Sequence, residues 1–330
     1  MSAFFKRMMG VAALAVGALG ALPAQAGPYT SMYIFGDSLS DTGSLQILTN
    51  GALPNPADGP YFGGRYADGL LWVEGLAAKL GVANDARSFA VGGKNYAIAG
   101  ARTGVDNSPP GLLAQLGGLW NPAGAVDPNA LYVLVGGGND MRDGRTTFQT
   151  NSLADQAGRQ AAAQAAANNL IMGLGFLASH GAHNVLISNL PNLGGSPEAF
   201  LTGLVAPSID ISNRFNALMP FIEAAGEGFG LDIDVLDMAG VGQKVVTDAT
   251  TNGGAVYGIT NVTAPCTGFA FSAALGGTSC AVSLFADVLH PSAAAHAIIA
   301  QAAFDLVPEP AGLLLVATAM GALVITRRRA

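Results

Sequence analysis

The sequence has few charged residues, two cysteines, two tryptophans and four histidines. Only 11% of its 330 residues are charged, whereas half are hydrophobic. Of 15 basic and 22 acidic residues, five basic ones and Glu309 lie at the two ends, which leaves 10 basic and 21 acidic residues in the body and a net charge of −11. Because no basic stripe remains, the composition argues against a nucleic-acid partner.

Each end of the chain carries an apolar run next to basic residues. At the start, Lys6 and Arg7 precede an apolar run at 11–22, which is followed by Ala24-Gln25-Ala26. A basic start, a short apolar core and an Ala-x-Ala site are typical of a secretory signal peptide, so we predict a signal peptide at 1–26 with cleavage after Ala26. The alternative is an N-terminal membrane anchor, although the run is short for a span.

The other end carries Val307-Pro-Glu-Pro310, an apolar stretch at 311–326 and Arg327-Arg-Arg329. This arrangement resembles the PEP-CTERM sorting signal of Gram-negative bacteria, placed here at 307–330. The resemblance implies a membrane helix that an exosortase-type enzyme processes, with a signal peptidase acting on the other end. An ordinary C-terminal anchor is the alternative. Both predict a body, 27–306, that is exported across the inner membrane to the cell envelope or the medium, since the arginines favour a cytoplasmic end.

The two cysteines, Cys266 and Cys280, both lie in this exported body and flank a segment rich in Gly, Ser and Thr. In an oxidising compartment this spacing predicts a disulfide, which the chain-entropy model values at roughly 3 kcal/mol. Two free thiols are the alternative. No histidine lies near either cysteine at ligand spacing, so we predict no metal site.

Apolar strands alternate with helical segments along the body. We predict strands around 33–35, 131–135 and 231–236, a further strand and its exit at 184–191, and helices at 70–80, 151–180, 209–225 and 293–304. The segment 246–283 has a loop-like, polar composition. Continuous apolar strands separated by helices predict a mostly parallel sheet covered on both faces, that is, a three-layer α/β/α sandwich.

Polar residues follow two of these strands directly. Ser38 comes after the strand at 33–35, and Asn139 comes after the glycines that end the strand at 131–135. Ligands of open α/β sheets bind beyond the carboxyl ends of the strands, so Ser38 is the candidate nucleophile and Asn139 a candidate amide donor. A simple Gly-Asp-Ser turn is the alternative for Ser38. The glycines at 136–138 match neither the Walker nor the dinucleotide pattern.

A second polar pair precedes the last helix. Asp287 and His290 lie three residues apart, and Pro291 and the predicted cap Ser292 follow them. A carboxylate beside an imidazole can hold its Nδ1–H and leave Nε2 free to accept a proton. The alternative is a capping loop with an incidental histidine.

Five ordered blocks resemble the GDSL-type (SGNH) esterases and lipases. They are Phe35-Gly-Asp-Ser-Leu-Ser-Asp-Thr-Gly43, Gly64-Arg65 with Asp68-Gly69 and Trp72, Asn95-Tyr-Ala-Ile-Ala-Gly-Ala101, Gly136-Gly-Gly-Asn-Asp140, and Asp287-Val-Leu-His-Pro291. The resemblance implies a flavodoxin-like fold and a triad of Ser38, Asp287 and His290. It also implies an oxyanion hole formed by the Ser38 N–H, the Gly100 N–H and the Asn139 side chain. The family often has glycine where Ala99 stands here.

The resemblance predicts hydrolysis of carboxylic acyl esters through an acyl-enzyme, without a metal or a nucleotide. The ester substrate is a lipid, a small ester or an acetylated polysaccharide. Two alternatives remain: a carbohydrate esterase that deacetylates extracellular polysaccharide, and a non-catalytic envelope or matrix protein on the same fold. We expect specificity to depend on the loops at 53–66 and 246–283.

Overall fold

A computed structural model describes residues 29–307. The predicted signal peptide at 1–26 lies outside this range, and so does the predicted sorting segment except for Val307. The described residues form a central parallel sheet with helices on both of its faces, which confirms the predicted α/β/α sandwich.

Four strands form the central sheet. They are β1 (Met32–Gly36), β2 (Leu131–Val135), β3 (Asn184–Ser188) and β4 (Asp232–Leu236), and a separate two-stranded sheet contains β5 (Asn261–Pro265) and β6 (Ser283–Phe285). The central strands lie in the order β1-β2-β3-β4, and all neighbours are parallel. The carboxyl ends of β1 and β2 are therefore adjacent, with Gly36 opposite Val135.

Helices alternate with these strands along the chain. They are α1 (Ser44–Leu48), α2 (Trp72–Lys79), α3 (Leu112–Ala114), α4 (Gly138–Thr147), α5 (Leu153–Ser179), α6 (Pro197–Leu201), α7 (Val205–Asn216), α8 (Met219–Gly228), α9 (Met238–Thr251), α10 (Ser272–Leu275) and α11 (Ala293–Leu306). Two of these helices have side-chain caps: Ser152 accepts the N–H of Asp155, and the predicted cap Ser292 accepts that of Ala295. Each cap satisfies an N–H that the first helical turn leaves unpaired.

Two hydrophobic clusters lie on opposite faces of the sheet. Successive side chains of a strand point to opposite faces, so β2 contributes Tyr132 and Leu134 to one cluster and Leu131, Val133 and Val135 to the other. The first cluster also contains residues of α5, α7 and α8, and the second contains residues of α2 and α11. Helix α5 is long and apolar enough to cross a membrane. Its residues Leu170, Leu174 and Leu177 are buried in the first cluster, as in a core helix of a globular domain.

An irregular segment continues the sheet beyond β1. The N–H of Tyr96 donates to the carbonyl of Ile34 at 2.7 Å, and that of Ile98 donates to Gly36 at 3.1 Å. Residues 94–98 therefore run beside β1 and lead directly to Gly100 at the same end of the sheet.

The helix predicted at 209–225 is wrong in its bounds, because two helices occupy this part of the chain. Helix α7 ends at Asn216, and α8 begins at Met219 with Pro220 in its first turn. A proline lacks the N–H that a continuous helix needs, and its ring would clash with the carbonyl four residues before it. The chain therefore breaks the helix ahead of Pro220.

The prediction of a loop at 246–283 is also wrong in part. Helix α9 continues to Thr251, and β5, α10 and β6 occupy much of the remainder. Strands β5 and β6 share only two register pairs, Asn261 with Ser283 and Pro265 with Phe285. Such short, irregular pairing leaves little periodicity in the sequence.

A disulfide joins Cys266 to Cys280 within this region. Cys266 is buried with Phe269 and Ala286, and Tyr61 and Cys280 pack against them; we call these five residues the disulfide cluster. The carboxylate of Asp68 lies close to both sulfur atoms. Because the two sulfurs are bonded to each other, they are not thiolate ligands for a metal.

Candidate active site

Ser38 occupies the turn that follows β1. The backbone N–H groups of Ser40 and Asp41 both donate to the carbonyl of Asp37 at 3.0 Å, which closes the chain into a tight turn around Ser38. Glycine is required at the preceding position 36, because a Cβ there would lie 2.4 Å from the carbonyl oxygen of Val135. The close approach of β1 and β2 thus holds this turn at the end of the sheet.

Asp287 and His290 lie in the loop between β6 and α11. The N–H of Ala286 donates to the carbonyl of His290 at 2.9 Å, so the loop closes on itself. Inside it, the N–H groups of Leu289 and His290 donate to Oδ1 of Asp287 at 2.8 and 2.7 Å. These contacts all lie within residues 286–290, and they hold the Asp287 carboxylate in position relative to the imidazole of His290.

The side chains of Ser38, His290 and Asp287 form one hydrogen-bonded row. Nε2 of His290 lies 2.8 Å from Oγ of Ser38, and Nδ1 lies 2.8 Å from Oδ2 of Asp287. A carboxylate only accepts hydrogen bonds, so Nδ1 carries the proton and Nε2 accepts the one on the Ser38 hydroxyl. Burial alone would raise the pKa of Asp287, but the charge and hydrogen bonds of His290 hold it below its usual value.

Asn139 and Gly100 offer N–H donors in segments that contact each other and the turn of Ser38. Asn139 lies in the first turn of α4, directly after β2, and its Nδ2 donates one hydrogen to the carbonyl of Ala101 at 2.9 Å. Its second amide hydrogen is available to a ligand. Within residues 29–307, the backbone N–H groups of Ser38 and Gly100 have no acceptor. Gly100 has a φ of 83°, a left-handed conformation that favours glycine.

Asp41 connects this donor group to the turn of Ser38. Its Oδ1 accepts the N–H groups of Gly43 and Ser44, and its Oδ2 accepts those of Leu45 and Ala99. The last contact holds the peptide that precedes Gly100. One buried carboxylate therefore fixes α1, the turn of Ser38 and the loop of Gly100 relative to one another.

Asp37 adds a second buried carboxyl next to Ser38. Burial raises the pKa of Asp37 to about 6, against the opposing effects of the Leu39 N–H and the charge of His290. Asp37 therefore titrates close to neutral pH, within the electrostatic reach of the imidazole.

A cavity of about 250 Å³ opens beside Ser38, Asn139 and His290. Its wall comes from the loop after β3, from α9 and from α11. Most of these side chains are apolar, and they include Leu190, Pro191, Leu193, Met238, Val241, Val245, Val246, Leu284, Leu289, Ile298 and Ile299. An apolar cavity with a few polar groups is typical of a small-molecule binding site.

The structure brings Ser38, His290, Asp287, Asn139 and Gly100 to one end of the sheet, although they come from four separate segments. The loops at 53–66 and 246–283, on which we expect specificity to depend, contribute little to the wall of this cavity. None of residues 53–66 lines the cavity in the part of the chain that the structure describes, and of the segment 246–283 only Val246 does. The sequence did not reveal the cavity wall, because a wall of leucines and valines has the same composition as a buried core.

Sequence reasoning also missed Tyr61. Its hydroxyl donates to Oδ2 of Asp287 at 2.8 Å across 226 residues of sequence. Its only signal was a tyrosine in a loop rich in proline and glycine.

Comparison with known proteins identifies the family of this chain. Residues 32–303 match the profile of the GDSL-like lipase/acylhydrolase family. A phosphatidylcholine-sterol acyltransferase of Aeromonas hydrophila is 28% identical over 239 residues, which cover 66% of this chain and 60% of that protein. The esterase EstA of Pseudomonas aeruginosa is 27% identical over 240 residues, which cover 63% of this chain and 35% of EstA. The chain thus spans 60% or less of the length of these curated relatives.

Among solved structures, a carbohydrate acetylesterase from Sinorhizobium meliloti aligns with a TM-score of 0.44 and 17% identity, covering 83% of this chain and 96% of that one. An extracellular lipase from Streptomyces rimosus aligns with a TM-score of 0.43 and 16% identity, covering 84% of this chain and 100% of that one. Since the family profile covers most of the chain and all six strands, the chain belongs to the GDSL-like lipase/acylhydrolase family.

Proposed function

We propose that this protein is a serine esterase or lipase that hydrolyses carboxylic acyl esters through an acyl-enzyme on Ser38. The observation that carries the proposal is the hydrogen-bonded row of Ser38, His290 and Asp287, with both contacts of the imidazole at 2.8 Å. Nucleophile, base and orienting carboxylate are within hydrogen-bonding distance of one another, as general-base activation of a serine requires.

In the proposed reaction, Nε2 of His290 takes the proton of the Ser38 hydroxyl while Oγ attacks the acyl carbonyl. The N–H groups of Ser38 and Gly100 and the amide of Asn139 stabilise the oxyanion that forms. His290 then gives the proton to the leaving alcohol. Water, activated by the same imidazole, attacks the acyl-enzyme, and the carboxylic acid leaves as the Ser38 hydroxyl is restored.

The apolar cavity favours an acyl group longer than acetyl. Its wall of leucine, isoleucine and valine side chains would bury an alkyl chain favourably, by roughly 0.8 kcal/mol for each methylene. Acetylated polysaccharide, the alternative substrate, places only a methyl group on the acyl side. The cavity therefore supports a medium or long acyl ester over an acetyl ester.

The ends of the chain support an exported location. The predicted signal peptide at 1–26 and the predicted sorting segment at 307–330 would imply processing by a signal peptidase and an exosortase-type enzyme. We propose a protein of the Gram-negative cell envelope or medium, held transiently by its C-terminal helix. Fractionation and mass spectrometry of the mature protein test this; an unprocessed cytoplasmic protein would contradict it.

A fluorophosphonate probe tests the catalytic proposal directly. We expect the probe to label the purified protein on Ser38, located by peptide mapping, and a Ser38→Ala variant to remain unlabelled. A panel of p-nitrophenyl esters with graded acyl chains, together with acetylated polysaccharide, then ranks the substrates. A folded protein that is neither labelled nor active on any of these esters would be the non-catalytic alternative.

A further inference from the structure

Tyr61 donates its hydroxyl hydrogen to the carboxylate that orients His290. The acceptor is Oδ2 of Asp287 at 2.8 Å, the same oxygen that Nδ1 of His290 contacts. The reaction sequence described above does not use this residue. Burial and the Asp287 carboxylate hold the pKa of the Tyr61 hydroxyl above its usual range, so it stays protonated and acts as a donor.

The ring of Tyr61 is held in place by the disulfide cluster. It meets the ring of Phe269 edge-on, with centroids 5.1 Å apart, and Phe269 is buried beside Cys266. The backbone N–H of Cys266 in turn donates to the carbonyls of Phe285 and Ala286 at 3.0 and 3.1 Å. The disulfide-closed loop therefore supports both Tyr61 and the peptide that precedes Asp287.

A second tyrosine provides an internal comparison. Tyr66 packs against the imidazole of His290, with ring centroids 4.8 Å apart, and against the ring of Tyr61. Its hydroxyl has no hydrogen-bond partner among the described residues. Tyr66 thus shares the surroundings of Tyr61 but lacks its contact with Asp287.

We propose that Tyr61 is a positioning residue of the Ser38–His290–Asp287 row. Its hydrogen bond fixes Oδ2 of Asp287 and weakens the attraction of this carboxylate for the Nδ1 proton of His290. A hydrogen bond to an ionised carboxylate stabilises its charge, so the carboxylate attracts a neighbouring imidazolium less strongly. The protonated imidazole then gives its proton more readily to the leaving alcohol. This inference rests on the proposed esterase function.

Other titratable groups also act on His290, and they must be held constant. Asp37 in the Ser38 turn and His296 on α11 interact electrostatically with His290 itself. Arg142 on α4 interacts with Asp287, and Asp41 and Asp58 interact with Tyr66, which packs on the imidazole. A Tyr61→Phe variant leaves all of them in place and keeps the aromatic packing. The matched control is Tyr66→Phe, which removes a hydroxyl from the neighbouring ring.

The experiment measures kcat and kcat/KM for ethyl butyrate, whose ethanol leaving group must be protonated, against pH in the wild type and both variants. For Tyr61→Phe we expect the midpoint of the acid limb to move to higher pH by about half a unit and kcat to fall by roughly 3- to 10-fold, with KM little changed. Tyr66→Phe should reproduce the wild-type limb. As a readout independent of turnover, the low-field proton resonance of His290 Nδ1–H should move in Tyr61→Phe only.

The inference is overturned if the wild type is active and Tyr61→Phe keeps the wild-type acid limb, even with a lower kcat. It is also overturned if Tyr66→Phe moves the limb as far as Tyr61→Phe does. A wild type that neither turns over esters nor reacts with a fluorophosphonate probe instead refutes the proposed function, and the proton resonance then still tests the contact of Tyr61 with Asp287.

Discussion

Oδ2 of Asp41 accepts the backbone N–H of Ala99 at 2.8 Å, so the turn that carries Ser38 and the loop that carries Gly100 are joined by one buried carboxylate. The N–H of Gly100 follows directly after this contact. The position of a proposed oxyanion donor therefore depends on the same turn that positions the proposed nucleophile, and both are set before substrate binds.

Replacing Ser38 with alanine should abolish most of the turnover. We expect kcat for p-nitrophenyl butyrate to fall by roughly 10³-fold or more, because the acyl-enzyme cannot form. Ser40→Ala is the matched control: its buried hydroxyl lies two residues away and has no hydrogen-bond partner within residues 29–307. Near-normal turnover of Ser38→Ala would remove this residue from the mechanism.

Replacing Asn139 with alanine should lower kcat by roughly 10²- to 10³-fold, because one donor to the oxyanion is lost. KM should change little, since the oxyanion exists only in the transition state. Steady-state kinetics of Asn139→Ala and of Asn192→Ala, an exposed amide that also lines the cavity, provide the comparison. Equal kcat values in the two variants would exclude Asn139 from the oxyanion hole.

Filling the cavity should shorten the preferred acyl chain. Gly242 lies on α9 in the cavity wall, and a Cβ there would meet nothing within 4 Å. We expect Gly242→Phe to lower kcat/KM for octanoyl and longer p-nitrophenyl esters while leaving acetyl and butyryl esters nearly unchanged. Gly228→Phe, an exposed position on α8 with equally open space, is the control. If kcat/KM depended on acyl length in the same way in both variants, the acyl group would bind outside this cavity.

His296 should make the fold sensitive to acid. Its Nδ1 accepts the N–H of Trp72 at 3.3 Å, its Nε2 is buried without a partner among the described residues, and burial lowers its pKa from 6.5 to about 3. Between these two values the unfolded chain binds more protons at this site. The stability that neutral His296 contributes is therefore complete above pH 6.5 and is lost as the pH falls towards 3.

The test compares the free energy of unfolding, from urea titrations at pH 4 to 7, in the wild type and in His296→Gln. Below pH 6, the free energy of unfolding of the wild type should fall relative to that of the variant by roughly 1 kcal/mol per pH unit. Asp37, whose raised pKa of about 6 has the opposite effect over pH 4 to 6, is present in both proteins and cancels in the difference. A constant difference across the range would show that His296 is not buried in its neutral form.

Much of the sheet could be predicted from the sequence because its strands are continuous apolar runs between glycines and polar turns. Leu131–Val135 is buried over its whole length, and few other structures accommodate five such residues in a row. The same logic located Ser38 and Asn139, since parallel strands deliver the residues after them to one end of the sheet. Local signals therefore determined which residues reach the site.

Contacts between distant segments could not be predicted in the same way. The hydrogen bond from Tyr61 to Asp287 depends on how two loops pack against each other, and neither loop has a periodic pattern of apolar residues. The break before Pro220 was accessible in principle, because proline disfavours the helix interior. The cavity beside Ser38 could not be predicted, because a leucine that lines a cavity and a leucine that fills a core occur in the same sequence patterns.

Both margins of the central sheet are unsuited to strand addition by a second molecule. Beside β1, the irregular segment at 94–98 occupies the free backbone groups, and beyond it no described strand extends the sheet. At the opposite margin, β4 carries Asp232 and Asp234, so two copies that met there would bring four carboxylates together. Neither margin of the central sheet therefore offers an uncovered, uncharged strand edge with which a second copy of the chain could pair.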